Sequence, residues 1–301
     1  MKKKTYLFAL MAMGLTLGSC SDNENGIGGE TSKYITVSTS IGNMTRVATD
    51  ANGAQTFEEG DEISVYAWTG APTVAPETSE RVVNNAINKL TNGSWVSTPQ
   101  MLWKNNRDKH YFIGVYPTAA ISDLSAGEYT FDANKQTESD LLVAVNKDGL
   151  SYNVDEQQPV PLTFTHVMAK LVVNLTYKNQ WGTEGPTVDK VVVGNAAKKA
   201  TVNYLTKVVT PSTTAKEDFS LPEITENTKY ISVIIPQEDV KQLTIVIGGK
   251  NFVYDNGTPF KLESGKITTV NLEVGRDEIK LGDVKITDWE DGSTFGGEAL
   301  N

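Results

Sequence analysis

Ile35-Thr36-Val37-Ser38-Thr39-Ser40-Ile41 decides the fold class. Apolar or β-branched residues at the odd positions alternate with Thr36, Ser38 and Ser40, which is the period of a strand with one face in a core and one in water. Outward from it the same signal recurs. Ile63 to Trp68, His110 to Tyr116, Leu141 to Val145, Leu162 to Leu175, Val188 to Val193, Lys229 to Ile235, Leu243 to Ile247, Phe252 to Tyr254 and Thr268 to Val274 are runs rich in β-branched and aromatic residues. Asp255-Asn256-Gly257 marks a reverse turn between Tyr254 and Phe260. Helical spacing is confined to a short turn near Glu80 to Leu90. The reading is an all-β protein.

Gln157-Gln158-Pro159-Val160-Pro161 is the clearest internal boundary, because prolines at alternate positions stiffen the chain and cannot continue a central strand. It divides the chain into residues 33–158 and 159–301, each with several short strands, so two β-sandwich domains in tandem are expected. A length of 301 residues with 39% hydrophobic side chains suffices for two cores. The stretch Glu278 to Trp289 alternates loosely through Ile279, Leu281, Val284 and Ile286. It reads as the last strand, capped by Trp289, or as a strand for donation to a neighbour.

The amino terminus reads differently. Lys2, Lys3 and Lys4 precede an apolar run from Tyr6 to Leu17, and Leu17-Gly18-Ser19-Cys20 closes it with small residues before the single cysteine of the chain. That is the pattern of a lipoprotein signal peptide over residues 1–19, with Cys20 as the lipidated residue anchoring the protein to the outer membrane. The run is shorter than the ~20 apolar residues a membrane-spanning helix needs. Residues 20–32 are polar and glycine-rich, a flexible tether, and Asp22 and Glu24 resemble an outward-export signal. With Cys20 committed to lipid, no disulfide is available.

A formal charge of −10, three units more negative once Lys2, Lys3 and Lys4 leave with the signal, opposes binding to nucleic acid or anionic lipid. Catalysis finds little to work with, since a nucleophile needs a base and the chain has two histidines. His110 precedes a strand and reads as a surface or edge residue. His166 shares a face with Leu162 and Phe164 and reads as a packed structural histidine. No zinc spacing, calcium loop or phosphate-binding loop appears, so no cofactor is expected. A hydrolase using two carboxylates cannot be read from 37 scattered acidic residues. Trp68, Trp95, Trp103, Trp181 and Trp289 offer either core packing or a sugar-stacking platform, the latter making a surface glycan-binding lipoprotein the alternative function. Met44-Thr45-Arg46-Val47 follows the first strand, where an arginine in a polar loop is open to an arginine-specific protease.

Taken in order, Cys20, Thr45-Arg46, Phe57-Glu58-Glu59-Gly60-Asp61-Glu62-Ile63-Ser64-Val65-Tyr66, Leu162-Thr163-Phe164-Thr165-His166-Val167-Met168-Ala169-Lys170-Leu171 and Ile286-Thr287-Asp288-Trp289-Glu290-Asp291-Gly292 resemble the fimbrillin family, the subunits and accessory proteins of type V pili. The resemblance implies two transthyretin-like β-sandwiches, export as a lipidated precursor, and cleavage between Arg46 and Val47. It also implies a non-enzymatic role in cell adhesion, placed at the outer membrane and then in the fimbrium. Assembly would follow by strand exchange, with Ile35, Val37, Thr39 and Ile41 on the ribbon that leaves and a neighbouring pilin subunit's strand replacing it.

Overall fold

The computed structural model describes residues 34–42, 56–152 and 158–289. Within them lie β1 (Val37–Ile41), β2 (Glu62–Thr69), β3 (Arg81–Thr91), β4 (Ser94–Thr98), β5 (His110–Tyr116), β6 (Gly127–Thr130), β7 (Leu142–Leu150), β8 (Val160–His166) and β9 (Ala169–Tyr177). They are followed by β10 (Val188–Ala197), β11 (Lys199–Asn203), β12 (Val208–Pro211), β13 (Lys216–Leu221), β14 (Glu223–Thr225) and β15 (Lys229–Ile234). The last four are β16 (Gln242–Ile247), β17 (Lys250–Asp255), β18 (Lys266–Val274) and β19 (Ile279–Asp288). Helical turns among the described residues are limited to two short 3-10 segments, Thr78–Glu80 and Asn179–Trp181. The protein is all-β.

A seven-stranded sheet runs in the order β1-β8-β7-β5-β2-β3-β4. Its central strands are buried on both faces, which is why they read as nearly continuous apolar runs. Ile63, Val65 and Ala67 of β2, Phe112 of β5, and Leu142 and Ala144 of β7 point into an inner core with Val160, Leu162 and Phe164 of β8. Tyr66 and Trp68, Tyr111, Ile113 and Val115, and Val143 point the other way into a second core. That second core is shared with a five-stranded sheet, β14-β15-β9-β18-β19, and a four-stranded sheet, β13-β10-β16-β17. Gly114 of β5 is required by close approach, since a Cβ there would lie 2.6 Å from the Phe164 ring.

Sequence expectation and structure part at identifiable points. In the segment Glu80–Leu90, Glu80 closes the 3-10 turn Thr78–Glu80 and Arg81–Leu90 is not a helical turn but most of β3. Val65 pairs with Ala86 and Ala67 with Val83, so Asn84 and Asn85 oppose the single residue Tyr66. This bulge shifts the alternation by one and leaves apolar residues three apart, which imitates helical spacing. The run Leu162 to Leu175 is two strands, β8 and β9, and the chain crosses between sheets at Val167-Met168. Hydrogen-bonded ladders bridge the division expected between residues 158 and 159. β8 pairs with β1 and β7, and β6 pairs with β11.

The stretch Glu278 to Trp289 holds the last strand among the described residues. β19 pairs antiparallel with β18 along its length, and Trp289 beyond it is buried. The indole stacks on His166, with ring centroids 4.0 Å apart, and Lys170 Nζ lies 4.2 Å from the ring centre. His166 Nδ1 is 2.9 Å from Asp140 Oδ1, so this histidine is packed and hydrogen-bonded as expected.

Burial pushes the Lys170 ammonium down to about 8, against the pull of Asp140 toward the charged form. The unfolded chain keeps that proton up to the ordinary lysine value, so from about pH 8 to 10.5 the unfolded state binds more protons and stability rises with pH. We expect a gain of about 2 to 3 kcal/mol between pH 7 and pH 10, read from urea midpoints, and its disappearance in Lys170→Met. Above pH 10 buried tyrosines such as Tyr116 and Tyr204, pushed up to about 12, act in the opposite direction and end the useful window.

Candidate strand-exchange site

β1 is an edge strand whose side chains are nevertheless in a core. Its one strand neighbour is β8, in a parallel ladder that matches Val37 with Val160, Thr39 with Leu162 and Ile41 with Phe164. Ile35 is 2% exposed and Val37 is 6% exposed, both in the inner core. Ile41 is half-buried against the same core. Thr39 has a polar task, accepting a 3.0 Å hydrogen bond from Trp95 Nε1 of β4. On the outer face Ser40 Oγ donates to Thr163 Oγ1 at 3.2 Å.

The two edge strands of the seven-stranded sheet therefore approach each other. At one end the gap is closed by backbone, with the Ile35 amide donating to the Met101 carbonyl at 2.9 Å and Tyr34 bridged to Leu102. Along the rest of β1 it opens into a groove of about 670 Å³ lined by Val37, Thr39, Ile41, Phe57, Trp95 and Pro159. Phe57 is the centre of its wall, edge-on to Trp95 at 5.3 Å, Tyr116 at 5.4 Å and Phe164 at 5.1 Å. Among the described residues β1 pairs with one strand, β8, which is itself held on its other side by β7.

Of the residues singled out in the sequence, Ile35, Val37, Thr39 and Ile41 are gathered at this slot. Cys20, Arg46 and Val47 lie outside the described residues. Sequence reasoning did not find the aromatic wall of Phe57 and Trp95 or the Met101 closure, all distant in the chain from β1. His110 is not at the surface as expected but fully buried. Its Nε2 accepts from the Lys104 amide at 3.1 Å, its Nδ1 lies 3.1 Å from the Asp108 carbonyl, and burial pushes it below the usual histidine range. It is a neutral structural residue, not a base in a cleft.

The tryptophans divide between the two cores. Trp68, Trp181 and Trp289 belong with the shared core, Trp95 and Trp103 with the inner one. Trp68 and Trp289 are buried, and the other three are half-buried against aromatic neighbours. Among the described residues no group of three or more His, Cys, Asp or Glu is placed to hold a metal ion, and no helix is long and apolar enough to cross a membrane.

The described residues are thus all-β, with a short edge strand whose inward side chains sit in the inner core. A fimbrillin-like family profile matches residues 45–289, and the chain belongs to the fimbrillin-like family. No curated protein matches it in sequence. Among solved structures, a candidate cell adhesion protein from Bacteroides uniformis has a TM-score of 0.66 at 18% identity, over 87% of this chain and 100% of the other. A second from Bacteroides ovatus scores 0.65 at 18% identity over 85% and 98%. A fimbrial protein from Bacteroides vulgatus scores 0.52 at 13% identity over 84% and 99%. These structures share the fold.

Proposed function

We propose that this protein is a structural or accessory subunit of a type V pilus, built into the fimbrium for cell adhesion rather than for catalysis. It leaves the cell as a lipoprotein held in the outer membrane through Cys20. An arginine-specific protease cuts between Arg46 and Val47, β1 departs, and another pilin subunit's strand takes its place. The observation that carries this reading is the slot itself, an edge strand with Ile35 and Val37 in the inner core and Arg46 only four residues beyond the end of the described ribbon at Gly42.

An empty slot would expose the β8 edge and the floor formed by Val160, Leu162 and Phe164, a template for any available strand. The uncut precursor fills its own slot and does not polymerise through it. Digestion of the purified precursor with an arginine-specific protease should release the 33–46 ribbon and yield oligomers larger than a dimer, whereas Arg46→Ala should yield neither. Oligomers larger than a dimer that form equally well from Arg46→Ala would refute the cleavage step.

A further inference from the structure

β19 forms an edge of the five-stranded sheet, and every residue from Lys280 to Asp288 is exposed. Leu281, Val284 and Ile286 are 39%, 37% and 40% exposed, an unusual concentration of apolar side chains on an edge. An open edge offers unpaired amides and carbonyls to a further strand. Natural edges are commonly protected by lysines that repel a second copy. β19 has Lys280 and Lys285, but they are interspersed with Asp283 and Asp288.

We propose that β19 is a homotypic interface, at which two copies of this chain pair edge to edge, antiparallel, about a two-fold axis through Val284. In that register Val284 meets Val284, and Asp283 of each copy meets Lys285 of the other, so both charge pairs are opposite in sign. The bulge in β19 supports the same alignment. Asn271 pairs with Asp283 and Leu272 with Leu281, so Gly282 is the extra residue and Leu281 is on the same face as Val284 and Ile286. Across the axis Ile286 then reaches the Leu281-Gly282 bulge, where the glycine offers no side chain to obstruct it. One face of the joint is apolar and the other is charge-paired. Moving the axis by one residue sets Lys285 against Lys285 or Asp283 against Asp283, which like-charge repulsion disfavours.

Within one copy Lys285 Nζ lies 3.7 Å from Asp283 Oδ2, and these side chains remain 71% and 50% exposed, open to a partner. The isologous arrangement closes after two copies. It uses neither β1 nor the slot, so it requires no cleavage at Arg46.

The test is sedimentation velocity on the uncut full chain carrying Cys20→Ser, over a range of concentrations, with three variants. The parent should show a monomer–dimer equilibrium. Lys285→Asp should weaken association about tenfold, since two attractive cross-strand pairs become repulsive. Adding Asp283→Lys to Lys285→Asp should restore it, and Val284→Cys should give an oxidised dimer linked through residue 284. A parent that stays monomeric, a dimer indifferent to Lys285→Asp, a double exchange that fails to restore pairing, or no cross-link at 284 would each overturn the proposal.

Discussion

Stripping the 33–46 ribbon from a chain cut after Arg46 is expected to remove most of its folding stability. Ile35 and Val37 are almost completely buried in the inner core, and emptying such a site costs about 2 to 5 kcal/mol for a large aliphatic residue, somewhat less for valine. Val160, Leu162 and Phe164, now fully buried, would face water on one side, and the β8 edge would lose its five-residue ladder. A total loss on the order of 5 to 10 kcal/mol stands against ~5 to 15 for an ordinary domain. The urea midpoint of the stripped, monomeric protein should fall steeply and recover when a synthetic peptide of residues 33–46 is added. An unchanged midpoint would mean that the ribbon contributes little to the fold.

The second large effect is expected for Trp289→Ala. Nine of the ten residues of β19 are exposed, so burial does little to hold the strand and its ladder to β18 must be secured at the ends. Trp289 secures one end, with its amide donating to the Gly265 carbonyl at 3.0 Å and its ring between His166 and Lys170. Loss of a buried indole costs about 3 to 5 kcal/mol. Removal should also let β19 fray from its carboxyl end, since the remaining tie, the Lys266–Asp288 ion pair, is exposed and contributes little. Hydrogen exchange would report this as lost protection over Val284–Asp288, with β2 and β5 unaffected. Trp289→Phe keeps a stacked ring and should recover about half the loss.

The strands that could be read from the chain alone are those whose burial leaves a mark on composition. β2 and β5, covered on both faces, are apolar runs in the sequence and strands in the structure at nearly the same limits. β6, β12 and β14 have three or four residues each and exist only because a partner strand is supplied from elsewhere, so nothing local announces them. β3 and β19 were blurred for a different reason. A bulge at Asn84-Asn85 in one and at Gly282 in the other changes the parity on which the reading of alternation depends.

The candidate site was half legible. The ribbon shows in the spacing of Ile35, Val37, Thr39 and Ile41, because a strand that buries one face must alternate. Its receptor does not show. The parallel partner β8 begins more than a hundred residues later, and the hydrogen bond from Trp95 to Thr39 and the closure by Met101 come from the opposite edge of the sheet. Long-range pairing of that kind has no local signature. The same distance misled the reading of His110, whose position before an apolar run suggested an edge. The Trp103 ring 5.0 Å from it, together with its bonds to the Lys104 and Asp108 backbone, buries it instead.

In the proposed function, departure of β1 is the step on which assembly depends, and a reversible lock tests it most directly. Ser40 and Thr163 face each other across the β1–β8 ladder with their hydroxyls in contact on the outer face, so Ser40→Cys with Thr163→Cys, in a chain carrying Cys20→Ser, can be bridged with little disturbance. After cleavage at Arg46 the oxidised protein should form nothing larger than a dimer and keep its ribbon, and reduction should release both the ribbon and the assembly. Oligomers larger than a dimer forming as fast from the bridged protein as from the reduced one would contradict strand exchange at this slot.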